Sequence, residues 1–181
     1  MLFMPSDVSA WMMILSLSFL VTLLDQLSKH IVRLNLHLGE HVTVVAGFLD
    51  LRYGMNTGAA MGSLQGLNSW LILVSVIMLG LIVVFRGHFL TSGATPRIAL
   101  SLIIAGILGN LSDRVRLGFV VDFLDFYWRD YHFWTFNVAD AAICVGVGLY
   151  VLSQFRSPSG APGVSLVEGR GSDPSTTPEQ P

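Results

Sequence analysis

The sequence predicts a polytopic α-helical membrane protein with four transmembrane helices, on the evidence of its composition and of four apolar runs. Of the 181 residues, 52% are hydrophobic and 12% are charged, whereas soluble domains carry about 25% charged residues. Two uncharged runs, residues 8–24 and 69–85, have the length that a span needs, about 17–25 residues. Residues 98–112 and 141–155 reach that length only if their helices also include polar residues at the membrane edge.

The first apolar run has an alternative interpretation, a cleavable signal peptide. Residues 1–10 contain no Lys or Arg, so the basic segment that opens a signal peptide is missing. The run is followed by DQLSKHIVR rather than by a small-residue cleavage site. We therefore expect this segment to remain as the first span.

Four spans place both termini on one side of the membrane. Positively charged loops normally mark the cytoplasmic side, but here Arg residues occur on both sides of the predicted bundle. The net charge of −2 and the lack of a basic stripe argue against a nucleic-acid partner. The only cysteine, Cys144, cannot form a disulfide within the chain.

The predicted loops carry two further patterns. Residues 41–53 alternate loosely and are rich in Val and aromatic residues, which predicts a small β-sheet with Gly47 as a break. Residues 56–62 (NTGAAMG) contain Gly58 and Gly62 outside any apolar run, so a tight turn or a short helix is expected there. Residues 119–137 are dense in Phe, Tyr and Trp, which is typical of a loop at the membrane–water interface.

We expect one four-helix membrane domain over residues 1–156. Residues 157–181 are rich in Pro, Ser and Gly. Such a composition does not bury enough apolar surface to order a chain, so this segment is predicted to be a disordered tail.

Ionisable residues in or beside spans are costly and therefore indicate function. Asp25 and Lys29 are four residues apart on one helix face, in the order that favours an ion pair. A structural role is the simpler interpretation of this pair. Asp113 and Arg114 end the third span, where the Arg either ties down a loop, binds substrate backbone or extends to the membrane surface.

Asp122 and Asp140 each stand among apolar and aromatic neighbours at the two ends of one loop. Taken singly, Asp140 suits the first turn of a helix with Asn137 as its N-cap, and Asp122 suits a loop surface. Together they predict a second role, because two close carboxyl groups share one proton. One then activates water while the other donates to a carbonyl oxygen, a hydrolytic arrangement that requires no metal.

The sequence gives little support for other kinds of catalytic site. The five His residues form no H-E-x-x-H motif, and no G-x-S-x-G motif occurs. Ser28 and Lys29 are adjacent, so they do not face each other on a helix. A non-enzymatic transporter or assembly factor that uses the membrane-edge carboxylates as ion or proton ligands is the main alternative. Against it, these carboxylates lie near segment ends rather than at mid-span.

Five stretches together resemble bacterial lipoprotein signal peptidase, also called signal peptidase II, in order and spacing. They are LLDQLSKH (23–30), MNTGAAMG (55–62), GILGNLSDR (106–114), VVDFLDF (120–126) and FNVADAAICVG (136–146). The resemblance covers about residues 10–155. It implies a multi-pass aspartyl endopeptidase of the bacterial cytoplasmic (inner) membrane. Such enzymes cut diacylglyceryl-modified prolipoproteins just before the lipidated cysteine.

The resemblance implies roles for individual residues. Asp122 and Asp140 correspond to the family's catalytic dyad. The positions that line the site or contact substrate or globomycin-type inhibitors are Asn56, Gly58, Asn110, Arg114 and Asn137. Structural support is expected from Asp25, Lys29 and Asp113. No metal or cofactor is implied, and we expect a monomer that contacts membrane lipids.

The family also implies an orientation, with both termini in the cytoplasm and a small β-cradle and the aromatic-rich loop on the outer face. Two positions depart from the family's usual residues. Met61 stands where Phe is common, and Ala105 where Gly is common. Both are small changes outside the dyad, so they bear on substrate fit rather than on the chemistry.

Overall fold

The computed structural model describes residues 5–58, 66–86, 93–129 and 131–156. Within these residues the chain forms four helices and four strands. In chain order they are α1 (Pro5–Asn35), β1 (His41–Val45), β2 (Leu49–Asn56), α2 (Asn68–Val84), α3 (Ala94–Leu117), β3 (Val120–Trp128), β4 (Tyr131–His132) and α4 (Val138–Arg156). The predicted tail, Gly62 and Met61 lie outside the described residues.

Three helices of the described chain are long and apolar enough to cross a membrane: Val8–Asn35, Ala94–Leu117 and Val138–Phe155. The last two reach this length by including their polar flanks, as the sequence required. The fourth predicted span, α2, has 17 residues, or roughly 25 Å of helix against a hydrocarbon core of about 30 Å. Its crossing of the membrane stays a prediction.

The central helix of the bundle is α3, since it packs against α1, α2 and α4. One apolar cluster joins Ile14 of α1, Ile82 of α2 and Leu100 and Ile104 of α3. Elsewhere α1 exposes large apolar side chains such as Phe19, at 66%. An outward apolar face of this kind suits contact with lipid.

Two glycines let α3 approach its neighbours closely. A Cβ on Gly109 would lie 2.6 Å from Oδ2 of Asp25, and one on Gly106 would collide with the backbone oxygen of Ala139. The helix ends at Leu117 because Gly118 adopts a left-handed conformation, with φ of +83°, and donates its N–H to the oxygen of Arg114 at 3.2 Å. The chain then turns directly into β3.

The predicted sheet over residues 41–53 is confirmed, with Gly47 in the turn between β1 and β2 at a φ of +78°. The sheet is antiparallel in the order β1-β2-β3-β4. Residues 119–137, expected as an aromatic loop, instead supply β3 and β4. The alternation that marks a strand is hidden here because β3 is largely buried on both faces.

Candidate active site

Asp122 is fixed within the sheet rather than in a loop. It is the third residue of β3, lies opposite Gly54 of β2 and is only 5% exposed. Both carboxylate oxygens accept hydrogen bonds from neutral amides. Asn137 Nδ2 donates to Oδ1 at 2.7 Å, and Asn56 Nδ2 donates to Oδ2 at 2.9 Å.

Asp140 lies in the first turn of α4, where Asn137 precedes the helix. Its backbone N–H donates to Asn137 Oδ1 at 2.9 Å, while its Oδ2 accepts the Asn137 N–H at 3.3 Å. These reciprocal bonds form a capping box. The helix-cap interpretation of both residues therefore holds, and it is compatible with a place in a site, since Oδ1 of Asp140 accepts a different donor.

Asn137 connects the two carboxylates. Its side-chain oxygen and backbone N–H bond Asp140, while its Nδ2 donates to Asp122. The chain reaches this position because Phe136 pairs with β3, donating its N–H to Leu124 and accepting from the backbone N–H groups of Phe123 and Leu124. The segment after β4 thus returns to β3 and places the start of α4 beside Asp122.

The pKa of Asp122 is raised from 3.8 to about 6. The main cause is burial, which penalises the ionised form, and the negative charge of Asp140 raises the pKa further. Hydrogen bonds from Asn56 and Asn137 and the positive charge of Lys29 act in the opposite direction. The two carboxylates are thus close enough for the charge of one to affect proton binding at the other.

A second carboxylate cluster surrounds Lys29, which is only 2% exposed. Its ammonium Nζ lies 2.8 Å from Asp25 Oδ2 and 2.9 Å from Asp113 Oδ2, and it donates to Asn110 Oδ1 at 3.1 Å. An ammonium has three N–H donors, so this set uses all of them. We call Lys29, Asp25 and Asp113 the Lys29 cluster.

The Lys29 cluster also holds backbone that positions the candidate site. Asp25 Oδ1 accepts the N–H of Ala139, next to Asp140, at 2.9 Å. Asp113 Oδ2 accepts the N–H of Val121, next to Asp122, at 3.2 Å. Each carboxylate of the cluster therefore anchors the residue that precedes one of the two candidate catalytic aspartates.

Asn110 joins the two regions through its side chain. Its Oδ1 accepts from Lys29 and from Asn137 Nδ2, the latter at 3.3 Å. Its Nδ2 donates to Asp140 Oδ1 at 2.7 Å. Because Lys29 can only donate, it fixes which end of the Asn110 amide faces Asp140.

Arg114 and Gly58 meet at the edge of this network. Arg114 Nη2 donates to the backbone oxygen of Gly58 at 3.0 Å, and the Gly58 N–H donates to Asn56 Oδ1 at 2.9 Å. Asn68, the first residue of α2, donates to the backbone oxygen of Arg114 at 3.2 Å. In this structure Arg114 ties the segment after β2 to α3, as one of its predicted roles required.

Gln26 is a connecting residue that the sequence interpretation missed. Its Nε2 donates to Asp113 Oδ1 at 3.0 Å, to the Gly109 oxygen at 3.1 Å and to Asp25 Oδ2 at 3.2 Å. The available signal was its spacing of three residues from Lys29, which places both on one face of α1.

The arrangement of Asp122 and Asp140 is chemically suited to hydrolysis by a pair of carboxyl groups. Two aspartates are held by neutral amides, which stabilise a carboxylate without fixing its charge as an ammonium would. No group of three or more His, Cys, Asp or Glu residues in the described ranges is placed to hold a metal ion.

Known proteins are similar to this chain in both fold and sequence. Two bacterial membrane enzymes solved by the in meso method, at 2.3 and 1.9 Å resolution, match with TM-scores of 0.73 and 0.72, each at 32% identity. The matches cover 81% and 80% of this chain, and 89% and 93% of theirs. The family model "Signal peptidase (SPase) II" matches residues 17–156. The chain belongs to the signal peptidase II family.

Curated relatives agree with this assignment. The lipoprotein signal peptidase of Coxiella burnetii (strain Dugway 5J108-111) is 43% identical over 150 residues, covering 81% of this chain and 91% of its own. That of Syntrophotalea carbinolica is 42% identical over 146 residues, covering 79% and 91%. The resemblance seen in the sequence is thereby confirmed.

In this signal peptidase II chain the residues singled out from the sequence fall into one network. Direct contacts to the two aspartates come from Asn56, Asn110 and Asn137. The expected support residues form the Lys29 cluster, one hydrogen bond away from Asn110. Arg114 and Gly58 lie one step further, through Asn56. The roles of these residues in catalysis and substrate binding stay predictions.

Proposed function

We propose that this protein is an intramembrane aspartyl endopeptidase that removes the signal peptide from diacylglyceryl-modified prolipoproteins. It cleaves just before the lipidated cysteine, with Asp122 and Asp140 as the catalytic pair. Family membership supports the protease activity and the substrate class. The observation that carries the aspartyl chemistry is the bridge through Asn137, which bonds both carboxylates.

The proposed reaction begins with one proton shared between the two carboxyl groups. The ionised carboxylate takes a proton from a water molecule as its oxygen attacks the scissile carbonyl carbon. The protonated partner donates to the carbonyl oxygen, which gives a neutral tetrahedral diol. In the second step a diol proton returns to a carboxylate, the C–N bond breaks, and the leaving nitrogen accepts the other carboxyl's proton. The apparent pKa values belong to the pair rather than to one residue.

The surrounding amides support this chemistry in different ways. Asn110 and Asn137 donate to the carboxylates, so in the proposal they orient the pair. Asn56, Gly58 and Arg114 form the edge of the hydrogen-bond network where β2 ends. They are the proposed contacts for the extended substrate backbone, whose polar groups need partners at membrane depth.

In the membrane, α2 is proposed as the fourth span, which places both termini in the cytoplasm of a bacterium. The sheet and the aspartate pair then lie at the outer face of the inner membrane. Exposed rings of Trp128, Tyr131 and Phe133 suit the headgroup level. We expect a monomer that contacts lipid and that globomycin-type inhibitors block at the aspartate pair.

The test uses purified protein in detergent with a diacylglyceryl-modified prolipoprotein. Asp122→Asn and Asp140→Asn are each expected to reduce the cleavage rate at least about 10³-fold, since each removes one of the two proton-transfer groups. Mass spectrometry of the released peptide identifies the bond that is cut. An unlipidated prolipoprotein is expected to remain intact.

Asp50→Asn is the matched control. Asp50 is a carboxylate of the same sheet, 4% exposed, and its Oδ2 lies 3.9 Å from His41 Nε2. This variant should cleave at close to the wild-type rate. Full activity in folded Asp122→Asn and Asp140→Asn proteins would rule out the aspartate pair. A wild type that leaves the lipidated substrate intact would rule out the substrate class.

A further inference from the structure

A basic groove lies between the ends of α1 and α3 that face the sheet. Its exposed rim carries His30 and Arg33 of α1 and Arg116 of α3, and its floor includes buried Lys29 and Asp113. The enclosed part has a volume of about 20 Å³, which holds roughly one water molecule. A larger anionic group would therefore sit at the rim, among the three basic side chains.

Two of the three basic rim side chains have no partner among the residues that the structure describes. Within the described ranges, neither Arg33 nor His30 has a hydrogen bond or an ion pair. The acidic floor residue Asp113 already accepts from Lys29, Gln26 and the Val121 N–H. The rim thus presents two permanent positive charges, and a third when His30 is protonated.

Arg116 is held in place before any ligand binds. Its Nη1 donates to Gln26 Oε1 at 3.2 Å, and Gln26 is itself fixed by the bonds of its Nε2 to Asp25, Asp113 and Gly109. A guanidinium has five N–H donors, so most of those of Arg116 are available to a ligand. Pre-organisation of this kind lowers the entropic cost of binding.

The surface beside the groove is apolar. Leu27, Ile31 and Leu34 lie on the adjoining face of α1 and are 50%, 58% and 71% exposed. All three belong to the helix Val8–Asn35, which is long and apolar enough to cross a membrane, so an exposed apolar face here suits contact with acyl chains. A ligand that combines a phosphate with long acyl chains matches both the basic rim and the apolar face, whereas a free phosphate matches only the basic rim.

We propose that this groove binds the headgroup phosphate of an anionic phospholipid. Arg33 and Arg116 contact the phosphate oxygens, His30 adds a third donor, and an acyl chain lies along Leu27 and Ile31. The site is separate from the aspartate pair, because Lys29 and Asn110 stand between them. Its existence therefore does not depend on the peptidase activity.

The test measures lipid selectivity in the full chain, purified in mixed micelles of phosphatidylglycerol and phosphatidylcholine. Native mass spectrometry counts the lipids that remain bound. The wild type should retain phosphatidylglycerol in preference to phosphatidylcholine. Arg33→Gln with Arg116→Gln should reduce this preference on the order of 30-fold, as expected from two cationic side chains at an anionic lipid.

Controls separate this site from general surface charge. Arg129→Gln removes an exposed cation elsewhere on the sheet side and should leave the preference unchanged. Arg33→Gln alone removes no hydrogen bond seen in the described structure, so it should fold normally and still lose several-fold of the preference.

Three results would overturn the proposal. The first is equal retention of the two lipids by the wild type, in which case the arginines serve only the helix ends. The second is the same loss of preference in Arg129→Gln as in Arg33→Gln. The third is displacement of phosphatidylglycerol by millimolar inorganic phosphate, which would indicate a site for a soluble anion.

Discussion

The aspartate pair and the Lys29 cluster hold two carboxylates each, yet they use opposite kinds of partner. Asp25 and Asp113 share one buried ammonium and each accepts a backbone N–H. Asp122 and Asp140 accept only from amide N–H groups among the described contacts. An ammonium adds the attraction of a full opposite charge to its hydrogen bond, whereas a neutral amide offers a carboxylate the hydrogen bond alone.

The difference separates scaffold from chemistry. In the Lys29 cluster, ion pairs and the bonds to the Ala139 and Val121 N–H groups hold α1, α3, β3 and the start of α4 together. In the aspartate pair, burial and the neighbouring charge raise the pKa of Asp122 to about 6. A carboxyl group with such a pKa can exchange a proton near neutral pH. Damage to the first region should therefore reduce stability, and damage to the second should reduce activity.

Lys29→Met should produce the largest loss of stability. The substitution leaves Asp25 and Asp113 buried without their cation, which costs about 3–5 kcal/mol when one partner of a buried pair is removed. Thermal unfolding in detergent measures the loss. The triple variant Lys29→Met, Asp25→Asn, Asp113→Asn should recover part of it. A stable Lys29→Met protein would show that the cluster is not the scaffold.

Asn137→Ala should reduce both stability and cleavage activity, and Asn137→Ser should separate the effect on stability from the effect on activity. Alanine removes the N-cap of α4, at a cost of about 1 kcal/mol, and the donor to Asp122. Serine restores the cap but supplies no amide to Asp122. We expect cleavage to fall about 100-fold in both variants, as when one preorganised donor is lost. Recovery of cleavage in Asn137→Ser would mean that Asn137 acts only as a cap.

Gly109→Ala should reduce stability less than Lys29→Met does, and it should leave the hydrogen-bond partners of Asp122 and Asp140 in place. Its Cβ would lie 2.6 Å from Asp25 Oδ2, so either the Asp25 carboxylate or α1 itself must move, at about 1–3 kcal/mol. Gly148→Ala in α4 is the control, because a Cβ there meets nothing within 4 Å. It should be neutral or slightly stabilising. Equal unfolding temperatures for the two variants would contradict the tight α1–α3 contact.

The helices were largely predictable from the sequence because long apolar runs have few alternatives. The hairpin of β1 and β2 followed from its Val-rich alternation and Gly47. The strand β3 was not predicted, since VVDFLDFYW is buried on both faces and includes two aspartates. Its hydrophobic pattern therefore gives no sign of which face meets the core.

The residues of the site were predictable from the sequence, but the hydrogen bonds that connect them were not. The sequence indicated that Asp122 and Asp140 bracket one segment, and the capping role of Asn137 followed from local rules. The bonds of Gln26 to Gly109 and Asp113 join residues 83 and 87 positions apart. Contacts of this range depend on how α1 packs against α3, which no local pattern specifies.

Asp122 and Asp140 are expected to act as one coupled pair. The most direct test of this coupling is an infrared titration of the Asp122 carboxyl in the wild type and in Asp140→Asn. In the wild type we expect a pKa of about 6. In Asp140→Asn the pKa should fall, because the negative charge that helps to raise it is removed. An unchanged pKa would show that the two carboxyls do not interact, and would rule out a coupled pair.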